Sequence, residues 1–318
     1  MAVDPLLAPL LQTQTAAASS APPVPEARAD ANERSRLLIA EWYRPGPVPA
    51  TVTERAISVD GGEIALRVYR PHGDGPFPLH LYIHGGGFWL GTLDSADIPS
   101  RELCVGAGAV VVSVDYRLAP EHRFPTGPED CYTALCWVAG HAEELDGDAS
   151  RLSVGGESAG GNLAAVVALM ARDRGGPPIT LQILGIPVTD LTMSQPSVDA
   201  LGEGYLLTKA GMRQYREHYL NDPGEATHPY ASPLLASDLT GLPPALVMTM
   251  EFDPLRDEGE AFARRLAEAG VRVRHRRWSG HIHGSALFTK VLPSASAYHR
   301  LLVSSLLSVP ASVEVIGA

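Results

Sequence analysis

Mainly apolar stretches lie at 79–83, 109–114, 180–186 and 245–249, interrupted by His80, Ser113, Thr180, Gln182 and Thr249. Each run has the length of one strand. Lacking polar alternation, each reads as a strand buried on both faces. Two earlier runs, 54–59 and 64–69, flank Asp60-Gly61-Gly62 and read as a hairpin. A further strand, 151–154, enters a glycine-rich turn, and another is expected over 271–276, with its pattern continuing toward Trp278. Between the strands the period changes. Residues 129–144 place Tyr132, Leu135, Cys136 and Ala139 on one helical face, and 162–172 form the next helix. A helix at 258–269 meets a Gly270 stop, and 294–307 is the final helix. Strands alternating with helices predict an α/β fold with a mostly parallel central sheet and helices on both faces. The hairpin adds antiparallel strands at one edge.

Two stretches interrupt the alternation. In residues 1–50, Leu6 to Leu11 suit a short helix, 13–29 are rich in Ala, Ser and Pro and read as a loop, and 31–43 fit one amphipathic helix ended by Pro45-Gly46-Pro47. Residues 190–225 are irregular, with a helical stretch at 212–220. The expected organisation is an N-terminal cap arm at 1–50, a core at 51–189, a cap insertion at 190–225, and the rest of the core at 226–318. The cap is predicted to be helical.

Composition narrows the classes. The 318 residues carry a net charge of -11 and no basic run, which argues against a nucleic-acid partner. No apolar run has membrane-spanning length, so no stable membrane association is expected. The N-terminus shows no basic n-region or cleavage site, hence no secretory signal. The three cysteines, Cys104, Cys131 and Cys136, lack C-x-x-C spacing and predict reduced thiols in a cytoplasmic setting. None sits on a glycine turn or beside a histidine, so a cysteine nucleophile is not expected.

The chemistry centres on Gly156-Glu157-Ser158-Ala159-Gly160, a G-x-S-x-G turn between a strand and a helix. Glycines flank such a serine because the tight turn leaves no room for Cβ atoms. A serine nucleophile needs a base, an orienting acid and donors for the oxyanion. The acid should follow a late strand. Asp253 lies at the end of the 245–249 strand, whereas Asp257 suits the first turn of the next helix. For the base, His281 and His283 both lie on the loop at 279–284, and position alone leaves either open. A metal reading of this His-x-His pair lacks a third ligand cluster. His84-Gly85-Gly86-Gly87 follows a strand and can turn backbone N–H groups toward a substrate oxygen. A phosphate loop would need a spacing that this stretch does not have. The N–H of Ala159, just after the nucleophile, is a further donor.

These pieces resemble the bacterial esterases of the hormone-sensitive lipase family, within the α/β-hydrolases. The matching stretches are His84-Gly85-Gly86-Gly87-Phe88, Asp115-Tyr116-Arg117-Leu118-Ala119-Pro120-Glu121, the serine turn with Gly161, Asp253-Pro254-Leu255-Arg256-Asp257-Glu258 and Gly280-His281-Ile282-His283-Gly284. The resemblance implies a catalytic triad of Ser158, His283 and Asp253. It implies oxyanion donors at Gly86, Gly87 and Ala159, with Gly85 adjacent, and a structural His84. It further implies a serine carboxylesterase acting on a small-molecule ester, and no cofactor or metal is expected; the short cap segments predict short to medium acyl chains, and the protein is expected to be a monomer or homodimer. Tyr205, Leu206 and Leu207 are candidates for the acyl pocket. Two residues depart from the family pattern: Glu157 stands where Asp or Thr is usual, and Ser285 where Phe is usual. Amide hydrolysis or acyl transfer would use the same triad, and a non-catalytic receptor on this fold would lack it.

Overall fold

A computed structural model of the chain describes residues 2–12 and 24–308. The strands are β1 (Thr51–Val59), β2 (Gly62–Arg70), β3 (Phe77–Ile83), β4 (Val110–Asp115), β5 (Gly147–Glu157), β6 (Leu181–Gly185), β7 (Ala245–Phe252) and β8 (Val273–Ile282). They form an eight-stranded sheet in the order β1-β2-β4-β3-β5-β6-β7-β8. β2 pairs antiparallel with β1 and β4, and every other pairing is parallel. The helices are α1 (Ala8–Gln12), α2 (Val24–Trp42), α3 (Asp97–Ala107), α4 (Thr126–Gly140), α5 (Ala159–Asp173), α6 (Pro196–Ala200), α7 (Lys209–Tyr219), α8 (Arg256–Glu268) and α9 (Pro293–Leu307). This is the mostly parallel α/β sheet that the alternation of strands and helices predicts, and the α/β-hydrolase architecture that the resemblance implies.

The strand order fixes where a site can form. From β3 the chain passes through α3 to β4 on one side. It then crosses back through α4 to β5 on the other side of β3. The carboxyl ends of β3 and β5 therefore border the crevice where connections diverge, the usual ligand position in open α/β sheets. Both glycine-rich turns leave these two strands.

Strand alternation divides the core in two. Leu79, Leu81, Ile83, Val110, Val112 and Val114 pack with the layer of α4, α5 and α8. Tyr82, Val111 and Met248 face the opposite layer, with Leu103 and Cys104 of α3 and Tyr298 and Leu301 of α9. α5 is buried from Ala159 through Ala171. Its sequence is apolar all round, as a helix sandwiched in a core requires.

Several boundaries differ from those expected. Residues 13–23 of the expected N-terminal loop lie outside the described residues, but 24–29 are the first turns of α2 rather than loop. Pro25 falls in the first turn, where no intrahelical N–H is needed, Glu26 suits the N-terminal dipole, and Ala27, Ala29 and Ala31 favour helix. α4 begins at Thr126 and ends at Gly140, with Pro128 in its first turn for the same reason. β8 runs on to Ile282, because pairing with β7 resumes as Phe252↔Ile282 after a register shift. His281 is therefore a strand residue and not a loop residue. α3 had no clear signal: Pro99, Ser100 and Gly106 blur its period. Its place is set by the apolar face it covers.

Candidate active site

Ser158 lies between β5 and α5 with φ 57° and ψ -118°, a strained conformation for a residue with a side chain. The flanking glycines make the turn sterically possible. A Cβ on Gly160 would come within 2.0 Å of the Ile83 carbonyl oxygen, and one on Gly156 within 2.3 Å of the same atom. The backbone is tied down: Ser158 N–H donates to Gly185 O at 2.8 Å, and its carbonyl accepts from Asn162 and Val188.

His283 follows the end of β8, and Asp253 follows β7. His283 Nε2 lies 3.0 Å from Ser158 Oγ, and Nδ1 lies 2.8 Å from Asp253 Oδ2. The other oxygen of Asp253 accepts the Leu255 N–H at 2.9 Å. A carboxylate can only accept, so it places the imidazole proton on Nδ1. That leaves Nε2 as the acceptor for the serine hydroxyl. Asp253 is 1% exposed, so this pair operates away from bulk water. The structure thus brings Ser158, His283 and Asp253 together.

The two alternatives have other partners. His281 is buried, with Nδ1 2.8 Å from Ser285 Oγ and Nε2 2.8 Å from Ser294 Oγ. Burial pushes its pKa below the ordinary histidine range. Asp257 accepts the Ser197 N–H at 2.9 Å and pairs with Arg256 at 2.8 Å. Ser197 in turn bonds to Pro254 O, so α6 is latched to the loop that carries Asp253.

The loop after β3 supplies backbone donors. Gly86 has φ +125°, open to glycine alone at low cost, and a Cβ there would meet Leu90 O at 2.3 Å. Among the described residues, no acceptor takes the N–H of Gly86, Gly87 or Ala159. That of Ala159 begins α5, where a helix has no partner to offer. Gly85 precedes them on the same loop, and Gly85, Gly86 and Gly87 all line one cavity with Ser158 and His283. His84 is buried and stacks on Tyr116 at 4.5 Å between ring centroids, and its Nδ1 lies 2.8 Å from Gly85 O. Burial lowers its pKa to about 4, so the ring stays neutral.

The cavity has a volume of about 420 Å³. Its walls come from α2 (Asn32, Ser35, Ile39), from the segment after β6 (Leu191, Met193, Leu206, Leu207) and from α7 (Met212, Tyr215). Tyr205, a pocket candidate from the sequence, packs instead against Phe252 at 5.3 Å. α2 is clasped to the glycine loop by Arg28. Its side chain donates to Trp89 O at 2.8 Å and to Ala119 O at 2.7 Å, and pairs with Glu121 at 2.5 Å. α7 stacks Tyr219 on Phe88 at 3.8 Å.

Both departures from the family pattern have partners. Glu157 is buried, and Tyr298 of α9 donates to its Oε1 at 2.7 Å. Ser285 accepts the Ile282 N–H at 3.1 Å and holds His281. Arg28, Tyr43 and Tyr82 were not picked out from the sequence, which shows no local pattern marking them. Among the described residues, no group of three or more His, Cys, Asp or Glu is placed to hold a metal ion, and no helix is long and apolar enough to cross a membrane.

A family model described as the alpha/beta hydrolase fold matches residues 80–287. The carboxylic ester hydrolase LipN of Mycobacterium tuberculosis is 44% identical over 269 residues, covering 82% of this chain and 72% of its own. The carboxylesterase NlhH of the same organism is 41% identical over 305 residues, with 92% of each chain covered. The solved structure of a hyperthermophilic esterase from the archaeon Pyrobaculum calidifontis superposes with a TM-score of 0.90 at 41% identity, covering 97% of this chain and 99% of that one.

Proposed function

The chain belongs to the α/β hydrolase fold family and is a serine carboxylesterase, and from that premise we propose that Ser158 is the nucleophile, His283 the general base and Asp253 the acid that orients it. The observation that carries this assignment is the unbroken hydrogen-bonded chain from Asp253 through His283 to Ser158. Ser158 Oγ attacks the ester carbonyl carbon while His283 Nε2 takes its proton. The carbonyl oxygen becomes an oxyanion facing the N–H groups of Gly86, Gly87 and Ala159, with Gly85 beside them. Collapse expels the alcohol, which receives the proton from His283 and leaves an acyl-serine. Water then attacks the acyl carbon and gives its proton to His283, and collapse of the second tetrahedral intermediate passes that proton to Ser158 Oγ and releases the acid.

The cap is composed of residues 1–50 and 190–225. Their contribution of walls to the cavity supports this. Deleting residues 1–40 removes Arg28 and the buried Leu7, and uncovers Ile282, Phe288 and Leu292. Activity should fall severely and the melting temperature should drop, since each large apolar side chain exposed costs about 1.5–3 kcal/mol. Far-ultraviolet circular dichroism should retain the signal of the sheet and its helices. A truncated protein with full activity would show that the arm is no part of the cap.

The substrates are esters with short to medium acyl chains. Support comes from the cavity, whose volume of about 420 Å³ suits a small ligand. Each methylene that fits adds up to about 0.8 kcal/mol, so kcat/KM should climb with chain length and drop once the cavity is full. The test is kcat/KM on p-nitrophenyl esters from acetyl to palmitoyl, beside the matching p-nitroanilides and an emulsified triglyceride. Preference for palmitoyl esters with a rate jump at the emulsion would make the enzyme a lipase. Faster cleavage of the anilides would make it an amidase.

A further inference from the structure

Gly87 is the oxyanion donor least held by its own backbone. Ala159 opens α5, and the Gly86 carbonyl accepts from Trp89 at 3.2 Å and from Leu90 at 2.9 Å. Among the described residues, Gly87 makes no hydrogen bond through its N–H or its carbonyl. The stretch around it is strained, with φ 125° at Gly86, 59° at Gly87 and 67° at Phe88. A phenylalanine in the left-handed region persists only where its surroundings hold it there.

The hold comes from α7. Tyr215, His218 and Tyr219 share one face of that helix and meet three consecutive loop residues. The Tyr215 ring lies against Gly87, where a Cβ would come within 2.6 Å of Cδ2 and 2.8 Å of Cγ. Tyr219 stacks on Phe88 at 3.8 Å, and the Trp89 ring centroid lies 5.2 Å from His218 and 6.0 Å from Tyr215. Cγ and Cδ2 sit at the base of the tyrosine ring, close to the helix backbone. The contact therefore changes only if the ring turns or if α7 or the loop moves. The Tyr215 hydroxyl makes no hydrogen bond with the described residues, so the ring is the part in use. Tyr215 also lines the cavity that holds Ser158 and His283.

Resting on the carboxylesterase reading, we propose that Tyr215 is a positioning residue for the oxyanion: its ring fixes the Gly87 peptide so that the N–H faces the developing charge. Oxyanion donors act by being aimed in advance, and losing one costs about a hundredfold or more in kcat. The cap then does more than enclose the substrate. It completes the oxyanion hole, and a cap that lifts releases the Gly87 donor.

The test separates the oxyanion from ordinary cavity binding. 1,1,1-Trifluorohexan-2-one adds Ser158 Oγ at its carbonyl carbon, gives the serine proton to His283 and turns its oxygen into an oxyanion. 1,1,1-Trifluorohexan-2-ol fills the same space without forming one. The readouts are kcat and KM on p-nitrophenyl acetate and the inhibition constants of the ketone and the alcohol. Tyr215→Ala should lower kcat about tenfold to a hundredfold and weaken the ketone by a similar factor, with KM and the alcohol moving less than about threefold. Tyr215→Phe keeps the ring and should restore both kcat and the ketone-to-alcohol ratio. Tyr215→Leu keeps apolar bulk on α7 and serves if the alanine variant fails to fold, with the same direction of change expected. The Gly87→Ala/Tyr215→Ala double variant should be no worse in kcat than Gly87→Ala alone, because the ring that the new Cβ would strike is gone. A raised KM with kcat intact, or ketone and alcohol weakened alike, would make Tyr215 cavity wall and overturn the positioning role. So would losses that multiply in the double variant, or a Tyr215→Phe as damaged as Tyr215→Ala. A wild type inert toward the ester would sink the esterase reading itself and the positioning role with it.

Discussion

Ser158→Ala should leave a folded protein whose ester turnover is lower by roughly four or more powers of ten, the scale on which serine hydrolases lose their nucleophile. The fold should survive because alanine keeps the Cβ that the turn already accommodates. It also keeps the backbone bonds to Gly185, Asn162 and Val188. What disappears is the oxygen 3.0 Å from His283 Nε2. His283→Ala should be as severe, and the double variant no worse than either single one, since the two residues act as a unit. His281→Ala should behave differently. It strips partners from Ser285 and Ser294 in a buried place, which costs about 1–3 kcal/mol of stability. Its turnover per folded molecule should stay within about tenfold of the wild type, because no reacting atom is lost. Thermal melts read beside kcat separate the two effects. If His281→Ala abolished turnover in a folded protein while His283→Ala spared it, the base would be His281.

The sheet was legible because its central strands β3, β4, β6 and β7 are largely buried and so appear as mainly apolar stretches, whereas the edge strand β8 carries exposed Arg274, His275, Arg276 and Arg277. The site was legible in part for the same reason: the serine turn and Asp253 each sit just beyond such a stretch. Position alone could not separate His281 from His283, because the end of β8 is set by its pairing with β7 and that register is not written in either segment. Once the strand extends to Ile282, His281 points into the protein toward Ser285 and Ser294, and His283 is the first residue free to reach Ser158. Glu157 looked anomalous in sequence because the residue that accepts it into the core is Tyr298 of α9, far along the chain. α3 was illegible for a related reason. Proline, serine and glycine weaken its period, and only the apolar face it covers, including Tyr69, Tyr82 and Val111, explains its position. Contacts made across the sheet decide these cases, and local pattern cannot register them.

Asp253→Asn should lower kcat by about four powers of ten with KM little changed, and leave the fold intact. The effect runs through the proton on the imidazole. Asp253 Oδ2, 2.8 Å from His283 Nδ1, accepts a proton there and so leaves Nε2 free to take one from Ser158. An asparagine can turn its amide N–H toward Nδ1 instead. The ring proton then moves to Nε2, facing the serine, and the base has no lone pair left where it is needed. The asparagine oxygen can still accept the Leu255 N–H, so the loop keeps its shape. Asp257→Asn is the matched control. Asp257 holds Ser197 and Arg256 and touches no member of the triad, so its loss should loosen α6 and change kcat by less than about tenfold. Substrate binding, which depends on the segment after β6, should register the change more than chemistry does. Burst-phase kinetics with a p-nitrophenyl ester would place the Asp253→Asn defect at acylation, the first step that needs Nε2 as a base. If Asp257→Asn gave the larger fall in kcat, with Asp253→Asn near wild type, the orienting acid would be Asp257 and the geometry at His283 would not be the working one.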